Sequence, residues 1–392
     1  MPKWEKMTVG DLCDTISDTY RGDDKDVVLI NTSDVLEGKV LNHQVVENKN
    51  LKGQFKKTFK ENDILYSEIR PANKRYAFVD FGDTDNYIAS TKLMVLRPRK
   101  DVVRPRFLFS FLASKSVLEE LQQLAETRSG TFPQITFSSE LAPTPINVPD
   151  LETQDRIVGI LDGIEGKIST NAEINKNLYQ QVVALYSSLF GKPTQQTSSV
   201  GQYSEQIYSG GTPSTSKSEY WNGEFHWFSS GETRNRFAIT TDKTITKTGV
   251  DNSSTKLAHK YDIVMASAGQ GFTRGQTTML LLDTYVNQSV IVIHANHTVL
   301  PYLFWNLAGR YDELRAISDS SSIRGSLTTK MIAGFVIPEV DSESLAEFSE
   351  FAWPVISEIE NNLLENQRLS TLRDTLLPRL MSGEIDVSDI DL

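Results

Sequence analysis

The sequence predicts an α+β fold: two pseudo-repeated globular domains of mixed α/β character, separated by two long antiparallel coiled-coil helices. Three observations carry the prediction. The chain has 392 residues, too many for one typical core. Short segments recur at a spacing near 191 residues. Two long stretches, one in mid-chain and one at the end, carry heptad stripes broken by asparagines at matching places. The domains are expected at residues 1–149 and 192–340. The helices are expected at 150–191 and, with a short tail, at 341–392.

The repeat is read from paired segments. Val9-Gly10-Asp11-Leu12 matches Val200-Gly201-Gln202-Tyr203, and Asp150 matches Asp341, both 191 residues apart. DILYS from Asp63 matches DIVMA from Asp262, 199 apart, so the second copy carries a few inserted residues. Leu108-Phe109 with Leu112 matches Leu303-Phe304 with Leu307. Within each copy, short β-like runs alternate with Gly, Asp and Asn turns. These runs are DVVLINTSDV, YAFVDF and KLMVLRP in the first copy, and DIVMASA, TMLLLD and VIVIHA in the second. Each region closes on a helix-like segment, RFLFSFLASKSVLEELQQLAE or PYLFWNLAGRYDELRAI.

The long helices follow from apolar residues at gaps of three and four. The first seam is Ile157, Leu161, Ile164, Ile168, Leu178, Val182, Leu185 and Leu189, with Asn171 and Asn175 at polar positions. The second is Phe348, Ala352, Val355, Ile359, Leu369, Leu376 and Leu380, with Asn362 and Asn366 at polar positions and Arg373 on the seam. Asparagine in an apolar seam costs stability but specifies register. The matched pairs therefore favour packing of the two helices on each other over packing of each on its own domain alone. Asp150 and Asp341 suit helix N-caps, and Gly191-Lys192-Pro193 suits a C-terminal stop. Pro378 is expected to kink or restart the second helix near its end, and Pro354 to break it near its start. About 33 helical residues span roughly 50 Å, against about 34–36 Å for one turn of DNA. Two domains on such a rod suit two patches of one duplex, and suit a protein scaffold equally.

Composition narrows the function classes. No run of about eighteen apolar residues occurs, and the N-terminus MPKWEKMTVGDL lacks a signal-peptide core, so a cytoplasmic protein without a membrane span is expected. The one cysteine, Cys13, excludes a disulfide framework and a multi-cysteine zinc site, and reads as a small buried side chain. The net charge of −11 argues against general polyanion binding. Two basic runs, KNLKGQFKKTFK (49–60) and RPRKDVVRPR (97–106), leave room for local DNA contact. Catalytic signatures are wanting: there is no phosphate loop of the G-x-x-x-x-G-K-[ST] type, no G-x-S-x-G elbow and no Pro-Pro-Tyr methylation motif. GQGFTRG (269–275) follows a strand and reads as a turn or a close backbone approach. His294 and His297 read as surface residues. Asp63 with Glu68 lacks the lysine of a nuclease carboxylate set. The chain is expected to be non-catalytic and to hold no metal.

The polar loops offer a recognition surface instead. In the first domain, YSEIRPANKR and ETRSGTFPQ supply Ser67, Arg70, Asn73, Lys74 and Arg75, then Arg128 and Gln134. In the second, SGGTPSTS and WFSSGETRNR supply Thr212, Ser229, Ser230, Glu232 and Arg234. GQGFTRGQ and SSSIRGSL add Gln270, Arg274 and Arg324. Arginine pairs bidentately with guanine, asparagine and glutamine with adenine, and small hydroxyls and backbone amides hold phosphates.

Over essentially its whole length the sequence resembles a specificity (S) subunit of a type I restriction–modification enzyme. The resemblance rests on SGGTPS followed by YWNGEFHWFSSGE, on ITKTGVDNSSTKL, on DIVMASAGQGFTRG, and on VNQSV (286–290). PDLETQDRIVGILDGIE and the ending LRDTLLPRLMSGEI add to it. It implies that each globular region is a target recognition domain reading half of a bipartite, non-palindromic site on double-stranded DNA. It implies that the paired helices set the unread gap and dock two methyltransferase (M) subunits, to which restriction (R) subunits join. Adenine methylation with S-adenosylmethionine, and chemistry with ATP and Mg, would belong to those partners, with no cofactor in this chain. The first domain carries SDTYRGD and INTSDVLEG where the second has SGGTPS and WFSSGE, which suits two different half-sites. The competing function class is a protein–protein scaffold with two pseudo-symmetric partner sites.

Overall fold

A computed structural model of the chain describes residues 4–22, 25–49, 53–128, 132–192, 195–269, 272–320, 325–388 and 390. The chain divides into two units, Met1–Ile168 with Arg368–Leu392, and Ser169–Gln367. Each unit therefore holds a globular body together with one end of each long helix.

In the first unit, one antiparallel sheet has the order Cys13–Ile16, Leu93–Pro98, Ile64–Ser67, Tyr76–Phe78. A second sheet has the order Val45–Glu47, Asp26–Ile30, Tyr87–Ser90, Phe55–Lys57, and its central pair is parallel. Glu5–Thr8 pairs with Pro145–Val148, tying the start of the body to its end. The second unit repeats this plan. Its five-stranded sheet runs Gln206–Ser209, Val290–His294, Ile263–Ala266, Thr277–Leu280, Phe237–Ala238. Its four-stranded sheet runs Lys243–Ile245, Trp221–Phe228, Thr284–Val286, Lys256–Ala258, again with a parallel central pair. Thr197–Ser199 pairs with Val336–Pro338.

The strand period explains why DILY and DIVMA read as continuous apolar runs. Ile64 and Tyr66 face a core built with the helices Pro105–Leu112 and Lys115–Arg128, while Leu65 faces the second sheet through Val28 and Ile30. Ile263 and Met265 likewise face Leu303 and Phe304 of the helix Leu300–Gly309, and Val264 faces Phe228 and Val286. Both faces of these strands are buried, so the alternation of polar and apolar residues disappears.

The long helices are Leu151–Phe190 and Ser342–Met381, each of 40 residues. Asp150 and Asp341 cap them, accepting from the Thr153 and Ser344 amides at 2.9 and 2.8 Å. The first helix stops at Phe190, where Gly191 donates to the Ser187 carbonyl. The second runs through both Pro354 and Pro378 without the expected break or restart. The carbonyls those prolines leave without an amide belong to Glu350 and Asp374, both exposed residues.

The helix ends pack on each other and on the globular bodies together. In the second unit, Phe348, Ala352, Val355 and Ile359 share a core with Leu178, Val182 and Leu185 of the other helix. In the first, Ile157 and Leu161 share a core with Leu376, Leu380 and Met381. The asparagines meet in the second unit. Asn171 donates to Asn366 Oδ1 at 2.9 Å and to Glu365 at 2.6 Å; Asn362 donates to Asn175 Oδ1 at 2.9 Å. The paired numbers rise on one helix as they fall on the other, so the packing is antiparallel. Arg373 on the first unit's seam is an ion-pair partner of Glu165 and Asp374.

Candidate nucleic-acid interface

The interface is built from the register of the five-stranded sheet. Ser209 lies opposite Ile291, and Ala266 opposite Val290, so the segments after Ser209, after Ala266 and before Val290 leave at the same end. Phe237–Ala238 runs parallel to Met279–Leu280, which brings the segment before Phe237 to that end too. Side chains and amides then link the loops. Thr212 donates its hydroxyl to Gln288 Oε1. The Ser267 amide donates to the Ser289 carbonyl at 2.8 Å, and the Leu327 amide to the Ser267 carbonyl at 2.9 Å. Thr278 Oγ1 donates to the Asn235 carbonyl at 2.6 Å. Four of the loop segments singled out in the sequence, SGGTPS, SSGETRN, GQGFTRG and the end of SSSIRGSL, thus converge. Asn287-Gln288-Ser289 joins them, a turn in which the Ser289 amide donates to Asn287 Oδ1 at 2.9 Å. This turn is not among the sequence-predicted site residues, although NQS inside VNQSV carries its signal.

Within this cluster the side chains play different parts. Ser229 donates its amide and hydroxyl to one carboxylate oxygen of Glu232 at 3.3 and 3.1 Å, forming a capping box that shapes the turn Ser230–Arg234. The other carboxylate oxygen is buried without a partner among the described residues. Burial pushes the Glu232 carboxyl above the usual carboxylate range, and the Asp242 charge adds to the rise. The Ser230 carbonyl accepts from the Thr233 hydroxyl at 2.8 Å. Arg234 is exposed. Arg274 is mostly buried; it pairs with Asp319 at 2.7 Å and donates to the Gly325 carbonyl, bracing the loop instead of standing free. Gly275 beside it has φ +83°, and a Cβ there would lie 3.2 Å from the Leu314 Cβ, so a side chain is strained at this place. Gln270 and Arg324 lie outside the described residues.

The first unit repeats these links. The Glu68 amide donates to the Lys92 carbonyl at 3.1 Å and the Ile135 amide to the Glu68 carbonyl at 2.9 Å, the counterparts of the Ser267 bonds. Arg70 and Asn73 are exposed, and Arg70 has φ 45° at the start of the turn Pro71–Asn73. Lys74 is paired with Glu37 at 2.9 Å. Arg75 donates to the Ser33 carbonyl at 3.0 Å. Arg128 pairs with Glu140 at 3.2 Å, and Gln134 forms a bridge with Ile69. Ser67 is 3% exposed and its hydroxyl serves the Ile69 backbone, because it sits at the inner end of a central strand. It presents no free hydroxyl to solvent.

The basic run 97–106 is not a free cationic patch. Arg97 grips buried Asp63 with two bonds at 2.8 and 2.7 Å; Arg99 pairs with Asp14 and Arg104 with Asp155; Arg106 lies over the Phe78 ring. Asp63 is thereby a structural anchor. Its counterpart Asp262 accepts from the His259 amide at 2.8 Å and lies 2.6 Å from His294 Nδ1. Burial raises the Asp262 carboxyl above its ordinary range, and the hydrogen bond with His294 opposes the rise. His297 stacks on Trp353. Cys13 is buried, and burial pushes its thiol up to about 12. Among the described residues, no group of three or more His, Cys, Asp or Glu is placed to hold a metal ion, and no helix is long and apolar enough to cross a membrane.

Comparison with known proteins agrees with this architecture. The family described as "Type I restriction modification DNA specificity domain" matches residues 1–180. The chain is 30% identical to the type I restriction enzyme HindI specificity subunit of Haemophilus influenzae, over 98% of this chain and 100% of that one. It is 25% identical to the EcoR124I/EcoR124II specificity subunit of Escherichia coli, over 50% of each. The crystal structure of a type I restriction–modification S subunit from M. genitalium has the same fold, with a TM-score of 0.58 at 16% identity, over 97% of this chain and 96% of that one. An α+β chain with a doubled body, two long paired helices and a full-length relative at this identity belongs to the family of type I restriction enzyme specificity subunits.

Proposed function

We propose that this chain is the DNA sequence-recognition subunit of a type I restriction–modification complex, with residues 1–149 reading one half of a bipartite, non-palindromic site and residues 192–340 the other. The observation that carries the reading is the convergence of the polar loops at one end of the five-stranded sheet, with the same backbone links repeated in the first unit. Loops on a rigid sheet are suited to reading bases. The hydrogen-bonding groups gathered there match base edges and phosphates. The subunit is non-catalytic. The asparagine pairs fix the helix register, and through it the number of unread base pairs between half-sites. The helices dock two methyltransferase subunits, and restriction subunits join through them. S-adenosylmethionine is used by the first partner, ATP and Mg by the second, and the complex works on cytoplasmic DNA.

The test is an exchange of residues 1–149 for the corresponding region of another specificity subunit, followed by methylome sequencing of the host. One half-site changes and the other is retained. If both halves change, or neither does, the assignment of domains to half-sites is wrong. If the chain co-expressed with its methyltransferase gives no salt-sensitive, sequence-selective gel shift, the scaffold reading replaces recognition.

A further inference from the structure

We propose that Phe272 is an apolar wedge that packs against bases of the half-site read by residues 192–340; the inference rests on the recognition reading above. Its ring is 82% exposed, more than any other large hydrophobic side chain among the described residues. The backbone beneath the ring is held. Tyr311 Oη donates to the Phe272 carbonyl at 2.8 Å, Thr273 is buried, and Arg274 is fixed by Asp319 and by the Gly325 carbonyl. Tyr311 and Asp319 lie on one helix, Tyr311–Ser320, so the backbone on the C-terminal side of the ring is braced against a rigid element. An aromatic ring on a fixed backbone loses little conformational freedom on binding, since two side-chain torsions remain to be ordered.

The surroundings select the partner. Among the described residues, the other exposed large hydrophobics of this unit, Leu257 and Val336 among them, lie on different elements, so Phe272 is the one exposed large hydrophobic side chain of its loop. A stable protein interface needs a broad contiguous patch, which one ring does not supply. A single ring fits between or against stacked bases. Exposed Arg234 and Arg236 precede Phe237, and the adjoining Asn235 carbonyl is bonded to Thr278 on the strand that leads out of the Phe272 hairpin. Their positive charge suits the phosphates on either side of a base contacted by the ring. The equivalent hairpin of the first unit, between Ser67 and Tyr76, carries Arg70, Pro71 and Ala72 and no aromatic residue. That hairpin therefore offers no counterpart of Phe272; the exposed aromatic of the first unit, Phe132, lies on the neighbouring loop, whose Pro133 carbonyl accepts from the Arg70 amide at 3.2 Å.

The test uses the full chain assembled with its methyltransferase partner, and duplexes carrying its methylated site with 2-aminopurine at single positions. The wild-type complex raises 2-aminopurine fluorescence at one step of the second half-site. Phe272→Ala abolishes that rise and weakens site-specific binding about tenfold to a hundredfold, the range for loss of one base–aromatic stack. Phe272→Trp restores both. The thermal midpoint is unchanged, because the ring is exposed. Unchanged affinity and fluorescence in Phe272→Ala overturn the proposal; so does loss of methyltransferase assembly in the absence of DNA, which marks a protein contact instead. A wild-type complex that fails to discriminate the second half-site overturns the recognition reading itself, a result distinct from failure of the wedge alone.

Discussion

Replacing Asn175 with leucine removes the acceptor of a 2.9 Å bond donated by Asn362, a residue only 7% exposed. The second contact of Asn175, to the Ile359 carbonyl at 3.4 Å, is too long to count for much. The change therefore leaves a buried amide without an acceptor, at about 1–3 kcal/mol. The new leucine offsets part of this by burying methyl groups in the seam, at about 0.8 kcal/mol for each CH₂ fully removed from water. Asn175→Leu is expected to destabilise the chain by about 1–2 kcal/mol. Adding Asn362→Leu removes the stranded amide, and the double variant returns to within about 0.5 kcal/mol of wild type or exceeds it, as two apolar partners replace two polar ones. A double-mutant cycle by urea unfolding of the full chain, followed by circular dichroism, measures the coupling. A double variant whose destabilisation equals the sum of the two singles refutes the pairing argument. Because the polar pair specifies register, the double variant's methylome is also expected to show more than one gap length.

Three further outcomes follow from the ion pairs and caps. Arg97→Ala leaves Asp63, 1% exposed, without its bidentate partner and is expected to destabilise the chain by about 3 kcal/mol, read as a lower urea midpoint. Arg234→Ala leaves the thermal midpoint unchanged and lowers the salt slope of DNA binding by about one, whereas Arg274→Ala lowers the midpoint as well, since Arg274 braces its loop against Asp319. Equal behaviour of the two variants would contradict that division. Backbone bonds from Thr153 and Ser344 hold the Asp150 and Asp341 carboxyls below their ordinary range. Their stabilisation is present above the unfolded aspartate value and is lost as pH falls through the lower folded one; Asp150→Asn with Asp341→Asn keeps both caps and flattens acid unfolding below about pH 4.

The asparagine pairs show what was legible in the chain. Heptad spacing, the matched polar positions and the Asp150 and Asp341 caps are local features, set by 3.6 residues per turn and by the amides of the first turn, so they survive translation from sequence to structure. The doubled body was legible for the same reason, because DILYS and DIVMA carry the same strand signal twice. The loops were legible as turns, from their glycines and asparagines.

What the sequence could not decide was partnership at long range. RPRKDVVRPR reads as a cationic surface, yet its arginines go to Asp63, Asp14, Asp155 and the Phe78 ring, none of which its own periodicity announces. Ser67 sits in a polar loop motif but ends a central strand and is covered. Pro354 and Pro378 disfavour a helix in isolation; here tertiary packing of the seam carries the helix through both. Residue order on its own determined the repeated module and the two long helices, because propensity and periodicity act over a few residues. Only the tertiary structure decided which charges are already paired and which loops share one end of a sheet. Those outcomes depend on strand register and on contacts between residues that lie tens of positions apart.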